Sequence, residues 1–175
     1  MPEYRSRITY SPEVFEALCK VQNNVYYRRR IRLFQLICIM IMAFAVALEI
    51  SRPLKILLVA IGGILFSFSN YLPKYKAKSM ISACNGNFAT ITYNFFADRF
   101  VMERNDDTLD AEYSDITKII KTEKYVFLFP NSNRAYAIDT SRIRPREPEA
   151  LLDFLSDRTG LNPKTIFIEK RKLFI

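Results

Sequence analysis

Two groups of residues have side chains of the types that carry out chemistry. Asp106, Asp107 and Asp110 form a cluster of carboxylates, which hard divalent cations favour as ligands. Lys78 and Ser79 are adjacent, and a serine activated by a lysine can act as a nucleophile. Aspartate is also an ordinary hairpin-turn residue, and no bidentate ligand follows at EF-hand spacing. We therefore interpret the acids as a turn and Lys78 as a solvated basic anchor, and predict no metal site.

Composition excludes most other catalytic and cofactor-binding chemistry. The chain contains no histidine, so the commonest general base, the commonest metal ligand and every Ser-His or Cys-His pair are missing. The four glycines, Gly62, Gly63, Gly86 and Gly160, have neither the dinucleotide-binding nor the P-loop spacing. We predict that the protein is not an enzyme and binds no cofactor.

The three cysteines do not form a disulfide framework. Cys19, Cys38 and Cys84 are odd in number and scattered, and no pair has C-x-x-C spacing. Such a set is typical of free thiols in a reducing compartment.

The longest pattern in the sequence is a pair of apolar runs, residues 33–48 and 56–72, separated by a short charged turn at 49–55. Neither run alternates polar and apolar residues as a half-exposed helix does. At about 1.5 Å per residue each run is roughly 25 Å long, slightly less than a hydrocarbon core of about 30 Å. Ile31 and Ile50 extend the first run, and flanking basic side chains can reach outward. The sequence therefore predicts a transmembrane helical hairpin over residues 31–72.

Two other interpretations of the apolar runs are less consistent with the chain. A buried hairpin in a soluble protein would need cover on all sides, and the remaining sequence offers only a small β-rich domain and an amphipathic helix. A secretory signal peptide cleaved near residues 45–47 would need an apolar region close to the N-terminus, yet more than thirty residues precede Leu33.

Small side chains predict how the two apolar helices pack. They form a stripe on each helix, which lets backbones approach closely where no hydrophobic force acts between helices: Ala43, Ala47, Gly62, Gly63 and Ser67. An antiparallel hairpin would bring Ala43 opposite Gly62 or Gly63. The alternative is that small residues are simply common in membrane helices.

The distribution of charge predicts the topology. Residues 1–79 carry the whole net charge of +8, whereas residues 80–175 contain 14 basic and 14 acidic residues. The excess flanks the apolar runs, at the predicted membrane-anchoring residues Arg28, Arg29, Arg30, Arg32, Lys74, Lys76 and Lys78. Interfacial aromatics are expected at Tyr26, Tyr27, Tyr71 and Tyr75. We predict a multi-pass protein of the plasma (inner) membrane with both termini cytoplasmic, attraction to anionic membrane lipid, and no nucleic-acid binding.

The N-terminal segment, residues 1–30, contains a strand at 5–10 and then an amphipathic helix. Ser11 and Pro12 are typical of a helix start. Val14, Leu18, Val21 and Val25 then form one apolar stripe that leads into the first run. The stripe could mediate a homo-oligomer, but docking on the protein's own domain or on the membrane surface is the favoured interpretation.

From residue 88 the hydrophobic period changes to two, which predicts a strand ending at Phe95. Further strands are predicted at residues 99–104, 109–113, 117–122, 125–129 and 134–139, and a helix from Pro148 to a Gly160 cap.

Six or seven strands capped by a C-terminal helix resemble a pleckstrin-homology-like (PH-like) domain. The seventh strand is residues 5–10 or 165–168, and we favour the former.

This order of elements, with the segments 92–98, 113–116 and 125–129, resembles the YcxB-like family of small bacterial membrane proteins. The resemblance covers nearly the whole chain and implies a PH-like cytoplasmic domain on a membrane hairpin. It supplies no catalytic residues. Phosphoinositide-binding PH-like domains cluster basic residues on their first hairpin, which here is 95–101 and has only Arg99, so inositol-phosphate binding is not expected. Arg142, Arg144 and Arg146 form a basic row that could face phospholipid, an acidic partner or solvent.

The predicted fold class is therefore an α+β membrane protein with a two-helix transmembrane hairpin and a small antiparallel PH-like β-domain capped by a C-terminal helix. The predicted parts are residues 1–30, the hairpin 31–72, the β-domain 86–160 and a tail 161–175. The leading hypothesis is a membrane-tethered interaction or regulatory module that binds a protein partner. The alternative is an accessory subunit of a membrane transporter or enzyme that acts through its hairpin.

Overall fold

A computed structural model describes residues 1–49, 51–105 and 107–167. Ile50, Asp106, Ile168 and the basic run 170–172 of the predicted tail lie outside the described residues. The helices are α1 (Pro12–Gln22), α2 (Arg28–Ala47), α3 (Arg52–Ala83) and α4 (Pro148–Thr159). The strands are β1 (Tyr4–Thr9), β2 (Thr90–Phe95), β3 (Arg99–Arg104), β4 (Asp107–Glu112), β5 (Lys118–Lys121), β6 (Tyr125–Phe129), β7 (Tyr136–Asp139), β8 (Ile143–Arg144) and β9 (Lys164–Thr165).

The predicted hairpin is present as two long apolar helices. A π-helical turn at Asn23–Tyr27 joins α1 to α2, so that residues 12–47 form one continuous helical rod. The second helix does not end near Leu72 as the apolar run suggested. It continues through Pro73 to Ala83, because its C-terminal part packs beside α1 and is stabilised by that contact.

The β-domain consists of two sheets. The first has the strand order β4-β3-β2-β1-β8 and is antiparallel throughout. The second has the order β7-β6-β5-β9, in which β9 pairs parallel to β5 and the other pairs are antiparallel. The predicted antiparallel architecture is therefore confirmed for every strand except β9.

Both segments considered for the seventh strand take part in the sheets. β1 pairs along its length with β2, with Ile8 opposite Ile91, although the whole hairpin separates them in sequence. Lys164 and Thr165 form β9 beside β5. The favoured segment therefore forms a full strand, whereas only Thr165 of the alternative segment 165–168 lies in a strand among the described residues. β8 is an additional short strand that the sequence did not predict.

The core of the domain includes the apolar stripe of α1. Val14, Leu18 and Val21 are buried in one hydrophobic cluster with the inner faces of both sheets. This confirms that the stripe docks on the protein's own domain, and leaves it unavailable for a homo-oligomer. Residues 1–30 thus supply a strand and a helix to the same core as residues 86–160, because β1 and α1 cannot bury their apolar faces elsewhere.

The C-terminal helix closes one end of this core, as its pattern predicted. Leu151 and Leu155 are buried, and the ring of Phe154 packs against Tyr4 with 5.3 Å between centroids. Gly160 has φ +67°, the left-handed conformation of a helix C-cap that glycine adopts without steric cost.

Of the five predicted packing residues, Gly62 lies buried between the two helices. Ala43, Ala47 and Ser67 are exposed, and a Cβ added to Gly63 would meet no atom within 4 Å. The buried positions are Cys38, Ala45, Gly62 and Ser69. A Cβ at Gly62 would lie 2.5 Å from Met42 Cγ, so the close approach occurs there. Gly62 was therefore identified, whereas the other small residues lie off the contact, because periodicity identifies small faces but not the rotation of one helix against the other.

Candidate functional site

Two helical rods are long and apolar enough to cross a membrane. They are the α1–α2 rod, residues 12–47, and α3. Only 11% of the most apolar 18-residue window in each is buried inside the protein. A helix from the core of a soluble protein is mostly buried, so these helices present an apolar surface that needs another cover.

The seven predicted membrane-anchoring residues lie where the apolar rods meet the domain. Arg28, Arg29, Arg30 and Arg32 are exposed on the first turns of α2, and Lys74, Lys76 and Lys78 are exposed on α3. Of the four predicted interfacial tyrosines, Tyr71 and Tyr75 are exposed. Tyr26 and Tyr27 are half-buried, and the Tyr26 ring packs edge-on against Phe129 with the Lys118 ammonium 4.0 Å from its centroid.

A cleft of about 340 Å³ on the β-domain gathers five arginines. It is lined by Arg5, Arg7, Arg142, Arg144 and Arg146, with Ser6, Ser141 and Ile143. No acidic residue lines it among the residues that the structure describes. We name these five arginines the arginine cleft.

The arginine cleft is built by the register of β1 and β8. Ser6 is opposite Ile143 and both are buried, so the residues on either side of them point outward. Arg5 is consequently the direct cross-strand partner of Arg144. The Ser6 hydroxyl donates to the carbonyl of Asp139 at 3.3 Å and ties β1 to the end of β7.

The charge of the arginine cleft is only partly compensated. Arg5 lies 4.0 Å from a Glu103 oxygen and Arg142 lies 3.7 Å from an Asp139 oxygen. Within the described ranges, the other three arginines have no acidic partner within salt-bridge distance. Guanidinium groups bind carboxylates and phosphates through paired hydrogen bonds, so the cleft is suited to an anion with several acidic groups.

The arginine cleft is linked through Lys124 to the first turn of α1. Its last three arginines lie in the segment 140–149, and both ends of this segment contact the β5–β6 hairpin. At one end the Thr140 amide donates to the Lys124 carbonyl at 3.1 Å, and at the other end Glu149 pairs with Lys121. The Lys124 ammonium in turn contacts Glu13 at 2.6 Å, in the first turn of α1. Glu13 and Arg28 are separated by about 20 Å along the helical rod, more than a Debye length at physiological salt. The cleft and the basic flank of α2 share no residue.

Sequence reasoning found three of the five cleft arginines and missed two. Arg142, Arg144 and Arg146 stood out as a row, but Arg5 and Arg7 joined them only through a strand pairing across more than 130 residues. The available signal was the two-residue spacing of Arg5 and Arg7, which places both on the outer face of a strand.

The other residues considered for chemistry are not brought together. Asp110 pairs with Arg99 at 3.7 Å, and Lys78 and Ser79 are both exposed. In the described part of the chain, no group of three histidine, cysteine or acidic residues could hold a metal ion. Cys19, Cys38 and Cys84 are free thiols, as predicted.

Two buried tyrosines connect the sheets behind the site. Tyr10 and Tyr93 share a hydrogen bond of 3.1 Å between hydroxyl oxygens, and the Ala137 amide donates to Tyr10. Burial raises the pKa of the Tyr10 phenol, and it raises the pKa of Tyr93 well above its ordinary value. Both phenols therefore stay neutral and act as structural hydrogen-bonding groups.

Comparison with known proteins gives one family. Residues 95–155 match the family model described as YcxB-like protein, which confirms the resemblance predicted from the sequence over those residues and not over nearly the whole chain. No curated protein matches the chain. Among solved structures, a chain from the structure of the Spt16D Pob3N heterodimer is similar at 10% identity and a TM-score of 0.39. That similarity covers 51% of this chain and 52% of the other, so the chain matches about half of the other's length, and a likeness this distant says nothing about function.

Proposed function

We propose that this chain, in which residues 95–155 resemble the YcxB-like proteins, is an integral membrane protein that tethers a cytoplasmic PH-like interaction domain to the plasma (inner) membrane. The observation that supports anchoring best is the exposure of the two apolar rods, of which only 11% of the most apolar window is buried. Lipid can cover such a surface without leaving backbone groups unpaired, because a helix makes its backbone hydrogen bonds within itself.

The pairing of β1 with β2 supports a topology with both flanks on one side. β1 precedes the hairpin and β2 follows it, and they form one antiparallel ladder. If the hairpin crosses the bilayer, its two ends therefore emerge on the same face. The exposed basic residues at both ends favour the cytoplasmic face.

The order of the strands supports a PH-like assignment for the domain. The first four strands lie in one sheet, the next three lie in the other, and the C-terminal helix α4 closes the core. The domain offers no histidine and no assembled catalytic group among its described residues, so the proposed activity is binding rather than catalysis.

The proposed partner is a protein with an acidic segment, bound at the arginine cleft. Three of its arginines have no acidic partner among the described residues, and β8 lies at the edge of its sheet, where an extended segment can add. An acidic protein segment can both pair with the edge strand β8 and compensate the charge of the arginines.

Anchoring is tested by fractionation of the full chain expressed in bacterial cells. We expect it to float with membranes in a density gradient and to resist extraction with alkaline carbonate. Cys84 lies between α3 and β2, and we expect it to be labelled only by reagents that enter the cytoplasm. Full-length protein that remained soluble and monodisperse, or Cys84 labelled from outside, would contradict the proposal.

Partner binding is tested by a photoactivatable amino acid at Ser141, which lines the arginine cleft and is exposed. We expect an adduct in cells whose attachment site lies in an acidic segment of another protein. The adduct should disappear when Arg144 and Arg146 are changed to Gln. The same probe at Thr108, exposed on β4, is the matched control and should not give this adduct.

The second candidate function is an accessory subunit that acts through its hairpin. The exposure of Ala43 and Ala47 favours it, because these small side chains on one helix face leave room for a further helix. This candidate predicts that replacing both apolar helices with an unrelated hairpin abolishes function, whereas substitutions in the arginine cleft do not. The proposed interaction module predicts the reverse.

A further inference from the structure

A crevice of about 640 Å³ opens between the two helical rods where they meet the β-domain. Its size falls in the range of small-molecule binding sites, about 300–1,000 Å³. It is distinct from the arginine cleft, which shares none of its lining residues.

The crevice exists because two hydrogen-bonded contacts hold the rods together, and the rods lie apart between these contacts. On the domain side, the Lys76 ammonium donates to Gln22 Oε1 at 2.8 Å. On the hairpin side, Gln35 Nε2 donates to Ser69 Oγ at 2.9 Å. Between these contacts one rod contains the π-helical turn Asn23–Tyr27 and the other contains Pro73, and each feature disturbs regular helix geometry.

The lining changes from polar to apolar along the crevice. Gln22 and Lys76 line the end next to the domain. Phe34, Leu65 and Phe68 line the end that continues onto the exposed apolar faces of α2 and α3. This order matches an amphiphile whose head lies at the membrane boundary and whose tail lies along the helices.

The polar end is cationic. Lys76 lies at this end and Arg30 lines the crevice between it and Phe34, and neither has an acidic partner within salt-bridge distance in the described part of the chain. The hydrogen-bond partner of Lys76 is a neutral amide. A phosphate group would compensate both charges, whereas a neutral head would leave them unpaired.

We propose that this crevice is a binding site for one anionic phospholipid. The phosphate lies against Arg30 and Lys76, and an acyl chain lies against Phe34, Leu65 and Phe68. A free anion would leave the apolar walls in contact with water, and so fits only part of the crevice. Basic pockets between helices at the cytoplasmic boundary are suited to acidic lipid heads. The inference rests on the membrane anchoring proposed above.

The test uses the full chain in lipid nanodiscs of phosphatidylcholine with a minority of phosphatidylglycerol. A photoactivatable group on the part of one acyl chain nearest the glycerol is carried either by phosphatidylglycerol or by phosphatidylcholine, and attachment sites are mapped by mass spectrometry. We expect phosphatidylglycerol to label residues 31–34 and 65–72 preferentially. Changing Arg30 and Lys76 together to Gln should reduce this labelling by about fivefold for each charge removed.

The matched control is the double substitution of Arg29 and Lys74 to Gln. It removes the same charge from the same two helices, but neither residue lines the crevice, so labelling there should change little. Arg30→Gln alone leaves the Lys76–Gln22 hydrogen bond intact and should still reduce labelling, which separates loss of binding from loss of folding.

Three outcomes would overturn the site while leaving membrane anchoring intact. They are equal loss of labelling in both double variants, equal crevice labelling by the two lipids, and nanodisc-bound protein without crevice labelling. Protein that fails to enter nanodiscs and fails to float with membranes would overturn the anchoring itself, and the lipid site with it.

Discussion

Arg5 and Arg144 are direct cross-strand partners in the antiparallel pair of β1 and β8. Like charges in this position destabilise a sheet, and only Arg5 of the two has an acidic neighbour within 4.0 Å in the described residues. A pairing that costs stability and lies in a cleft with three further arginines is the arrangement expected of an anion-binding surface.

Changing Arg144 to Gln should therefore separate stability from binding. We expect the free energy of unfolding to rise by about 0.2–1 kcal/mol, because the like-charge pair is removed. Binding of an acidic partner at the arginine cleft should weaken. Chemical denaturation in detergent and crosslinking from Ser141 measure the two effects. Arg134→Gln, an equal charge change outside the cleft, should alter neither, and a loss of stability in Arg144→Gln would contradict the argument.

Changing Gly62 to Ala should destabilise the helix pair. Its Cβ would lie 2.5 Å from Met42 Cγ and 3.5 Å from the Cys38 carbonyl oxygen, so the Met42 side chain or the helices must shift. Overpacking of this kind costs about 1–3 kcal/mol. The matched control is Gly63→Ala, whose Cβ meets nothing within 4 Å and should be neutral or slightly stabilising. Thermal unfolding of the detergent-solubilised protein measures both.

A compensating substitution sharpens this prediction. Met42→Ala in the Gly62→Ala background removes the atoms that the new Cβ meets, and should recover part of the lost stability. If Gly62→Ala and Gly63→Ala behaved alike, the close approach at Gly62 would be wrong.

Changing Gln22 to Met should loosen the domain from the hairpin. The buried Gln22 amide donates to the Ser132 carbonyl and accepts from the Lys76 ammonium, and so joins α1, α3 and the β6–β7 loop. Loss of these bonds should cost about 1–3 kcal/mol and increase hydrogen exchange at residues 130–133. Lys76→Met removes only one of the two bonds that Gln22 makes, and should cost less. Equal costs would contradict a special role for Gln22.

Alkaline pH should destabilise the domain through Tyr10 and Tyr93. Burial raises the pKa of both phenols in the folded state, so the unfolded state loses its protons first. The stabilising contribution is complete below about pH 10, the ordinary tyrosine pKa, and is lost as pH rises toward the folded value. Unfolding followed by circular dichroism at several pH values measures this loss.

The Tyr93→Phe variant isolates the contribution of that phenol. At neutral pH it should be less stable than the wild type by about 1 kcal/mol, through loss of the hydrogen bond to Tyr10. This difference should be constant to about pH 9 and should shrink above pH 10. A difference that is the same on both sides of this range would contradict the linkage.

Local patterns in the sequence determined the elements of this fold. Period-two alternation and turn residues located β3 and β6 to the residue, and Pro148 and Gly160 located α4. The two apolar runs located the hairpin, although α3 extends eleven residues beyond the predicted Leu72, since tertiary contact with α1 stabilises that extension. These features could be predicted because they depend on neighbours within a few residues.

Only the tertiary structure decided which distant residues share a surface. Arg5 joins Arg144, and Arg30 joins Lys76 at one crevice, through contacts between segments far apart in sequence. The rotation that places Gly62 rather than Ala43 inside the helix pair is equally non-local. The physical reason is that a local pattern specifies the period and length of an element, whereas register and rotation depend on how all the elements share one core.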